Sequence, residues 1–286
     1  MNALLRFLQK QLVEGMLPWS AQVAAAQRFG CTLAAVEELA LEHGIFPARY
    51  QRNCTTITIA DQLLLFQSRI IVIGCGGLGG YIMEGLARLG VGNIVAVDPD
   101  IFEEHNLNRQ LLATPATLGK PKVLAALARV NEINPAVTVT PVMDAFCTAN
   151  GRELLTGVTV AVDALDSISY RLELADSCAG MGIPMIHGAI GGWYGHVVTQ
   201  LPGETTVQDI YRNWKNGKGI EKELGNPAFT PAVVASLQVA EACKVVLGKG
   251  ELLRRRKLNI DLLDMEFDEV NFGPVEDMDE GLHLAA

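Results

Sequence analysis

Gly74-Cys75-Gly76-Gly77-Leu78-Gly79 lies between two stretches of different hydrophobic period. Before it, Ile70-Ile71-Val72-Ile73 is an unbroken β-branched run, as in a strand covered on both faces. After it, a helical pattern continues to about Leu89 and is closed by Gly90-Val91-Gly92. Glycines at 74, 76 and 79 let a backbone approach phosphate, and a helix N-terminus offers that phosphate unpaired N–H groups. A second apolar run, Ile94-Val95-Ala96-Val97, ends at Asp98, where an acid can bind ribose hydroxyls. Together these make a dinucleotide-binding unit, and the turn alone favours NAD as much as ATP.

The elements that must position this turn follow from the rest of the pattern. Lys122–Ile133 and Ile168–Met181 read as helices, and Val137–Val142 as a strand. Val158–Val162 reads as a strand ending at Asp163, and Pro184–Ile190 and His196–Gln200 as two more. Thr230-Pro231 reads as an N-cap and first residue of an apolar helix that ends near Leu247-Gly248, and Leu258–Leu263 as a late strand. The expected fold is α/β and Rossmann-like, a mostly parallel sheet with antiparallel strands in its C-terminal half. A small helical N-terminal extension precedes it. There Leu4, Leu5, Leu8 and Leu12 have helical spacing. Ser20 and Thr32 are placed to cap helices that stop at Gly30 and at His43-Gly44. The expected divisions are residues 1–60 for this arm, 61–272 for the Rossmann-like domain and 273–286 for an acidic tail. Pro202–Asn226 breaks the rhythm, with Lys215, Lys218 and Lys222 among glycines, and reads as a mobile, partly basic loop.

Bulk properties exclude several classes. The chain has 286 residues, a formal charge of -9, 49% hydrophobic and 19% charged residues, which is globular. The acidic balance (pI near 5.1) argues against nucleic acid as the main partner. Arg28 is nearly alone as a basic residue among the N-terminal helices, so a DNA-binding reading of that helix–turn–helix is weak. No run approaches the roughly 20 apolar residues of a membrane span. Met1–Leu17 mixes charges into its apolar pattern, unlike a signal peptide, so a cytoplasmic location is expected. The six cysteines include no C-x-x-C pair, so no zinc is expected.

The segment after Asp98 decides between nucleotides. It contains Asn106-Leu107-Asn108-Arg109-Gln110, then Gly119-Lys120-Pro121-Lys122, and later Asp163-Ala164-Leu165-Asp166-Ser167. With the glycine turn, these resemble the nucleotide signature of the ThiF/MoeB/HesA activating enzymes, relatives of the ubiquitin-activating enzymes. The resemblance extends over roughly residues 49–267, with Ser167 where the family usually has asparagine. It implies that Gly74, Gly76, Gly77, Gly79, Asp98, Asn106, Arg109 and Lys122 surround ATP, and that Asp166 holds Mg²⁺. Upstream, Arg49-Tyr50-Gln51-Arg52-Asn53 resembles the family's R-Y-x-R-Q segment, with Asn53 at the glutamine position. This implies a homodimer in which Arg52 reaches the partner's active site. The implied catalytic set is Arg52, Arg109, Lys122 and Asp166. The implied activity is ATP-dependent adenylation of the Gly-Gly carboxylate of a small β-grasp sulfur carrier of the MoaD or ThiS kind, releasing pyrophosphate, in cofactor biosynthesis. Pro202–Phe229 contains no cysteine to take the activated partner, so the reaction should stop at the acyl-adenylate.

Elementary chemistry agrees with the residue types. A peptide C-terminal carboxylate has a pKa of about 3.5 and needs no general base at neutral pH. It needs relief from repulsion by the triphosphate and stabilisation of charge on the α-phosphate and leaving pyrophosphate. Two arginines, a lysine and a carboxylate-bound Mg²⁺ supply that. The alternative, an NAD(P)-dependent oxidoreductase, would need a proton donor. Only His187 and His196 lie in the right region, both in apolar runs that suit core or dimer-face residues. Activation of a small-molecule or tRNA carboxylate by the same chemistry is a further alternative. The acidic chain disfavours tRNA.

Overall fold

The computed structural model describes residues 3–213 and 224–273. At the N-terminus are three short helices, α1 (Ala3–Lys10), α2 (Trp19–Phe29) and α3 (Leu33–Glu42). A two-residue parallel ladder, β1 (Met16–Leu17) with β2 (Phe46–Pro47), ties the segment together. Gly30, at φ 64°, ends α2, and Thr32 caps α3 by accepting the Ala35 N–H. Ser20 does not cap α2. That helix begins at Trp19, entered from Pro18, whose fixed φ of -65° suits the junction. Leu5, Leu8, Leu17, Ala25, Val36 and Ala40 form a small apolar core of this segment.

The segment is docked on its own chain through buried polar groups. The Tyr50 hydroxyl donates to Glu37 Oε1 at 2.6 Å and accepts from Asn134 Nδ2 at 2.8 Å. Arg49 bonds the same asparagine and covers the Trp19 ring at 4.8 Å. Burial raises the pKa of both Glu37 and Tyr50, opposed at Glu37 by the Arg49 guanidinium, whose Nε lies 3.8 Å from Glu37 Oε2. Tyr50→Phe would leave a buried acceptor and a buried donor unmatched. It is expected to destabilise the chain by about 1–3 kcal/mol in urea unfolding. A loss below about 0.5 kcal/mol would show that the docking does not depend on this hydroxyl.

The main domain begins with α4 (Ile59–Gln67), capped reciprocally by Thr58 and Asp61. Then follow β3 (Arg69–Ile73), α5 (Gly77–Leu89), β4 (Asn93–Val97), α6 (Lys122–Ile133) and β5 (Thr138–Val142). After them come α7 (Thr148–Leu155), β6 (Val160–Asp163), α8 (Ile168–Met181), β7 (Met185–Gly191), β8 (Tyr194–Gln200) and α9 (Thr206–Ile210). The long helix α10 (Phe229–Leu247) precedes the closing hairpin β9 (Arg256–Asp261) and β10 (Glu266–Asn271). One eight-stranded sheet runs β10-β9-β8-β7-β6-β3-β4-β5. Pairings from β7 across to β5 are parallel, and those from β7 out to β10 are antiparallel.

Strand alternation assigns the two faces. Ile70 and Val72 of β3 pack with Leu86 of α5 and Val234 of α10. Ile71 and Ile73 pack with Leu155 of α7 and Leu174 of α8 on the other side. Both faces are covered, which is why β3 reads as a continuous apolar run. Helix α10 is long and apolar enough by composition to cross a membrane. Here it is a core helix, packed on α5, β7 and β8.

Some expectations need correction. Thr230 is not the N-cap of α10: the helix begins at Phe229, and the Thr230 hydroxyl donates to the Gly192 carbonyl at 2.6 Å. Inside the Pro202–Asn226 excursion, α9 is an ordered helix with Val207 buried. Lys215, Lys218 and Lys222 lie outside the described residues, as does the acidic tail from residue 274 onward.

Candidate active site

The chain leaves β3 toward β4 and β5, then returns to β6 on the other side of β3. The C-terminal ends of β3 and β6 therefore diverge into a crevice, the usual ligand position in such sheets. Gly74 follows β3 with φ 99°, and a Cβ on it would lie 2.5 Å from the Ala164 carbonyl oxygen, just beyond β6. Only glycine fits there. Gly76 is the N-cap of α5, and the Gly77 position meets only side chains, at 3.8 Å or more. Gly79 allows the first turn of α5 to cross the strand end, because a Cβ on it would come 1.9 Å from the Gly74 carbonyl oxygen. The cleft over this turn has a volume of about 440 Å³.

Gly74, Gly76, Gly77, Asp98, Arg109, Lys122 and Asp166 all line that cleft. Asp98 is 5% exposed. Its Oδ2 accepts the Cys75 N–H at 2.7 Å and its Oδ1 the Asp100 N–H at 2.8 Å. The acid thus braces the glycine turn. Burial raises its pKa, against the opposing pull of the Lys122 ammonium and those two N–H donors. Lys122 opens α6 and reaches back, its Nζ 2.9 Å from Asp100 Oδ2 and 3.9 Å from Asp98 Oδ1. The pairing holds a largely buried ammonium at the cleft wall, where an incoming phosphate can draw it.

Arg109 is partly exposed, and its Nη1 donates to the His105 carbonyl and to Asn108 Oδ1. Asn106 is placed differently from the others. It is buried behind the wall, and its Oδ1 accepts the Glu103 N–H at 2.9 Å, closing the turn that presents Arg109. Asp166 is exposed on the cleft rim and has no hydrogen-bond or ion-pair partner among the described residues. Arg52 is exposed in the turn after Tyr50 and does not line this chain's cleft.

The structure adds residues that spacing did not single out. Asp100 holds Lys122, and the buried Gln110 lies over Gly76, with its Oε1 unpaired. Asp144, Tyr170 and Arg171 complete the walls. His187 is fully buried, with Nδ1 2.6 Å from Asp163 Oδ2 and Nε2 3.1 Å from both His196 Nε2 and the Tyr211 hydroxyl. Burial lowers the pKa of both histidines, and for His196 the neighbouring His187 adds to it. Both therefore stay neutral, and neither lines the nucleotide cleft as a proton donor would. A second cavity of about 470 Å³ lies over β7, β8 and the β9–β10 hairpin, and Arg171 and Ile190 line both cavities.

Comparison with known proteins places the chain in a family. Residues 50–279 match the ThiF family. The SAMP-activating enzyme E1 of Haloferax volcanii is 36% identical over 78% of this chain and 84% of its own. The sulfur carrier protein adenylyltransferase of Thermus thermophilus is 33% identical over 77% of this chain and 84% of its own. Among solved structures, E. coli MccB superposes with a TM-score of 0.69 at 19% identity, covering 88% of this chain and 80% of its own, a likeness of fold. The oxidoreductase reading of the glycine turn is set aside by the sequence relatives, and with the phosphate-approaching turn, Arg109 and Lys122 on one cleft the conclusion is direct: this chain belongs to the ThiF family and is an adenylyltransferase.

Proposed function

We propose that this enzyme adenylates the C-terminal Gly-Gly carboxylate of a small β-grasp sulfur-carrier protein, with ATP as donor and pyrophosphate as the leaving product. The observation that carries the reading is the convergence of the glycine turn, Arg109, Lys122 and a free Asp166 on one cleft. Two relatives, a SAMP-activating enzyme and a sulfur carrier protein adenylyltransferase, support the substrate class. So does the second cavity, which adjoins the first and whose wall includes Gly191 and Gly195. An extended C-terminal tail lying in this second cavity would have its carboxylate beside the nucleotide cleft, since Arg171 and Ile190 line both.

The chemistry follows from the residues. The tail carboxylate, already ionised, forms a bond to the α-phosphorus, and the bond from that phosphorus to the β-bridging oxygen breaks. Pyrophosphate leaves with the electron pair, and no proton has to be removed. The N–H groups at the start of α5 face the phosphates. Arg109 and Lys122 offset charge that builds on the transferring phosphate and on pyrophosphate. Asp98 orients the ribose by its outer lone pairs while it braces the turn. The exposed, unpartnered carboxylate of Asp166 is of the oxygen-donor type that suits Mg²⁺. When bound, that ion would supply further neutralisation of the polyphosphate. The reading includes no zinc.

The active unit in this reading is a homodimer, with Arg52 completing the partner's site. Its exposure away from its own cleft supports this. Mixing an Arg52→Ala chain with an Asp166→Ala chain tests it. Each alone is expected to be inactive in ATP–pyrophosphate exchange. In a mixed dimer one of the sites keeps both residues, so exchange should return to about a quarter of the wild-type rate at equal mixing. Verified subunit exchange with no recovered activity would refute the trans role.

A further inference from the structure

Asp166 stands at the end of a turn that is held by its backbone from several sides. The turn begins at Asp163, the last residue of β6. Asp163 Oδ1 accepts the Leu165 N–H at 2.9 Å, and its Oδ2 pairs with His187 Nδ1 at 2.6 Å. The Leu165 carbonyl accepts from Arg171 Nη2 at 2.6 Å and from Arg171 Nε at 3.1 Å. Arg171 Nη1 donates to the Tyr211 hydroxyl at 2.9 Å, and that hydroxyl lies 3.1 Å from His187 Nε2. The bonds close a ring through Asp163, His187, Tyr211, Arg171 and Leu165. With His187 neutral and donating through Nδ1, its Nε2 is an acceptor, and the tyrosine hydroxyl can donate to it while accepting from arginine. Every donor and acceptor in the ring then agrees in direction.

A second fixture comes from behind the sheet. Gln238 of α10 is fully buried, and its Nε2 donates to the Asp163 carbonyl at 2.7 Å. The amide fills the space over Gly188, where a Cβ would lie 2.4 Å from it. The Gln238 Oε1 is buried with no hydrogen-bond partner among the described residues, so the amide's bond to the Asp163 carbonyl is kept at a cost in stability.

We propose that Tyr211, Arg171 and Gln238 are positioning residues that fix the 163–166 turn, and through it the Asp166 carboxylate, without themselves being required to touch the nucleotide. Tyr211 follows α9, outside the sheet, so the segment carrying it and the cleft share one hydrogen-bonded unit. A carrier tail that shifts this segment would therefore be felt at Asp166. The role given to Asp166 rests on the adenylation reading, but the fixing of the turn does not.

Amide hydrogen exchange in the ligand-free, full-length chain separates the two. Tyr211→Phe removes one oxygen, and Gln238→Met removes the amide at nearly constant length. Each is expected to speed exchange of the Ala164 and Leu165 amides about tenfold, while the Ile71 and Val72 amides keep wild-type protection. The apparent Mg²⁺ requirement of ATP–pyrophosphate exchange should rise in parallel, with KM for ATP changed much less. Arg171→Lys, which keeps the charge but not the fork onto Leu165, should behave like Tyr211→Phe or worse. Unchanged exchange at 164 and 165 in folded variants overturns the proposal. So does equal acceleration throughout the chain, which is what a purely structural role predicts. Faster exchange at the turn with no change in the Mg²⁺ requirement would keep the fixture and overturn its link to Asp166.

Discussion

Asp166→Ala is expected to lower ATP–pyrophosphate exchange by about a hundredfold to a thousandfold or more, with no change in folding. The size follows from the task. Charge builds on the transferring phosphate and on pyrophosphate, and the enzyme's contribution is mainly electrostatic. Removing one preorganised charged group from such a site costs a large part of the acceleration. The neutrality toward folding follows from the structure. Asp166 is exposed and makes no bond to any described residue, so its loss leaves nothing unpaired. The same substitution at Asp163 should destabilise the fold as well, because that fully buried carboxylate anchors His187 and the Leu165 N–H. Exchange by Asp166→Ala at the wild-type rate, measured with a matching unfolding curve, would leave Asp166 a bystander.

Gly79→Ala is the second large effect, and it acts through geometry. A methyl there would overlap the Gly74 carbonyl oxygen at 1.9 Å and meet Ala164 Cβ at 3.6 Å. The contact at 1.9 Å is with backbone, so no side chain can yield. Either α5 tilts away from β3 or the 74–79 turn changes path. Overpacking of this kind costs about 1–3 kcal/mol, occasionally more. The turn's N–H groups would lose their aim at the phosphates, and ATP affinity measured by calorimetry should fall by at least about tenfold. Gly77→Ala is the internal control. Its methyl would rest against Pro231 and Ile190 at 3.8 and 3.9 Å, so the fold and the unfolding temperature should be kept. Equal unfolding temperatures of the two variants would mean that glycine at 79 is not needed for the crossing.

The sequence carried the frame of the site well, because its parts are local. The β-branched run of β3, the glycine turn and the helix after it lie within one stretch, and Lys122–Ile133 and Ile168–Met181 appear as helices at the expected limits. The cleft residues Arg109, Lys122 and Asp166 were named through the resemblance to the family's nucleotide signature, and the structure brings them to one cleft. What was not legible depends on contacts between distant residues. Nothing near Asp163 indicates that His187, 24 residues on, Arg171 and Tyr211 close a ring with it. Nor does Asp98 reveal that its two oxygens are already engaged by the Cys75 and Asp100 amides. Asn106 shares its motif with Arg109, yet its side chain closes the turn instead of lining the cleft.

Elements without a buried apolar stripe were also missed. Helix α7 has only Gly151 and Leu155 buried, which leaves no helical periodicity to read. All six residues of β10 are exposed, so its alternation carries no burial signal. The helical segment before Arg49 meets the domain through an apolar cluster of Leu41, Phe66 and Ala136 and through buried polar groups, and the polar part left no sign in the sequence. Tyr50, Glu37, Arg49 and Asn134 come from separate parts of the chain, and hydrophobic pattern says nothing of them.

The central claim is that the carboxylate of a Gly-Gly tail is the group adenylated. ATP–pyrophosphate exchange, measured with a small β-grasp carrier ending in Gly-Gly and with the same carrier lacking that tail, tests it most directly. The account predicts exchange with the intact carrier at least about a hundredfold above that with the truncated one, in a Mg²⁺-dependent reaction. Equal exchange with the truncated carrier, or exchange with no carrier present, would contradict it.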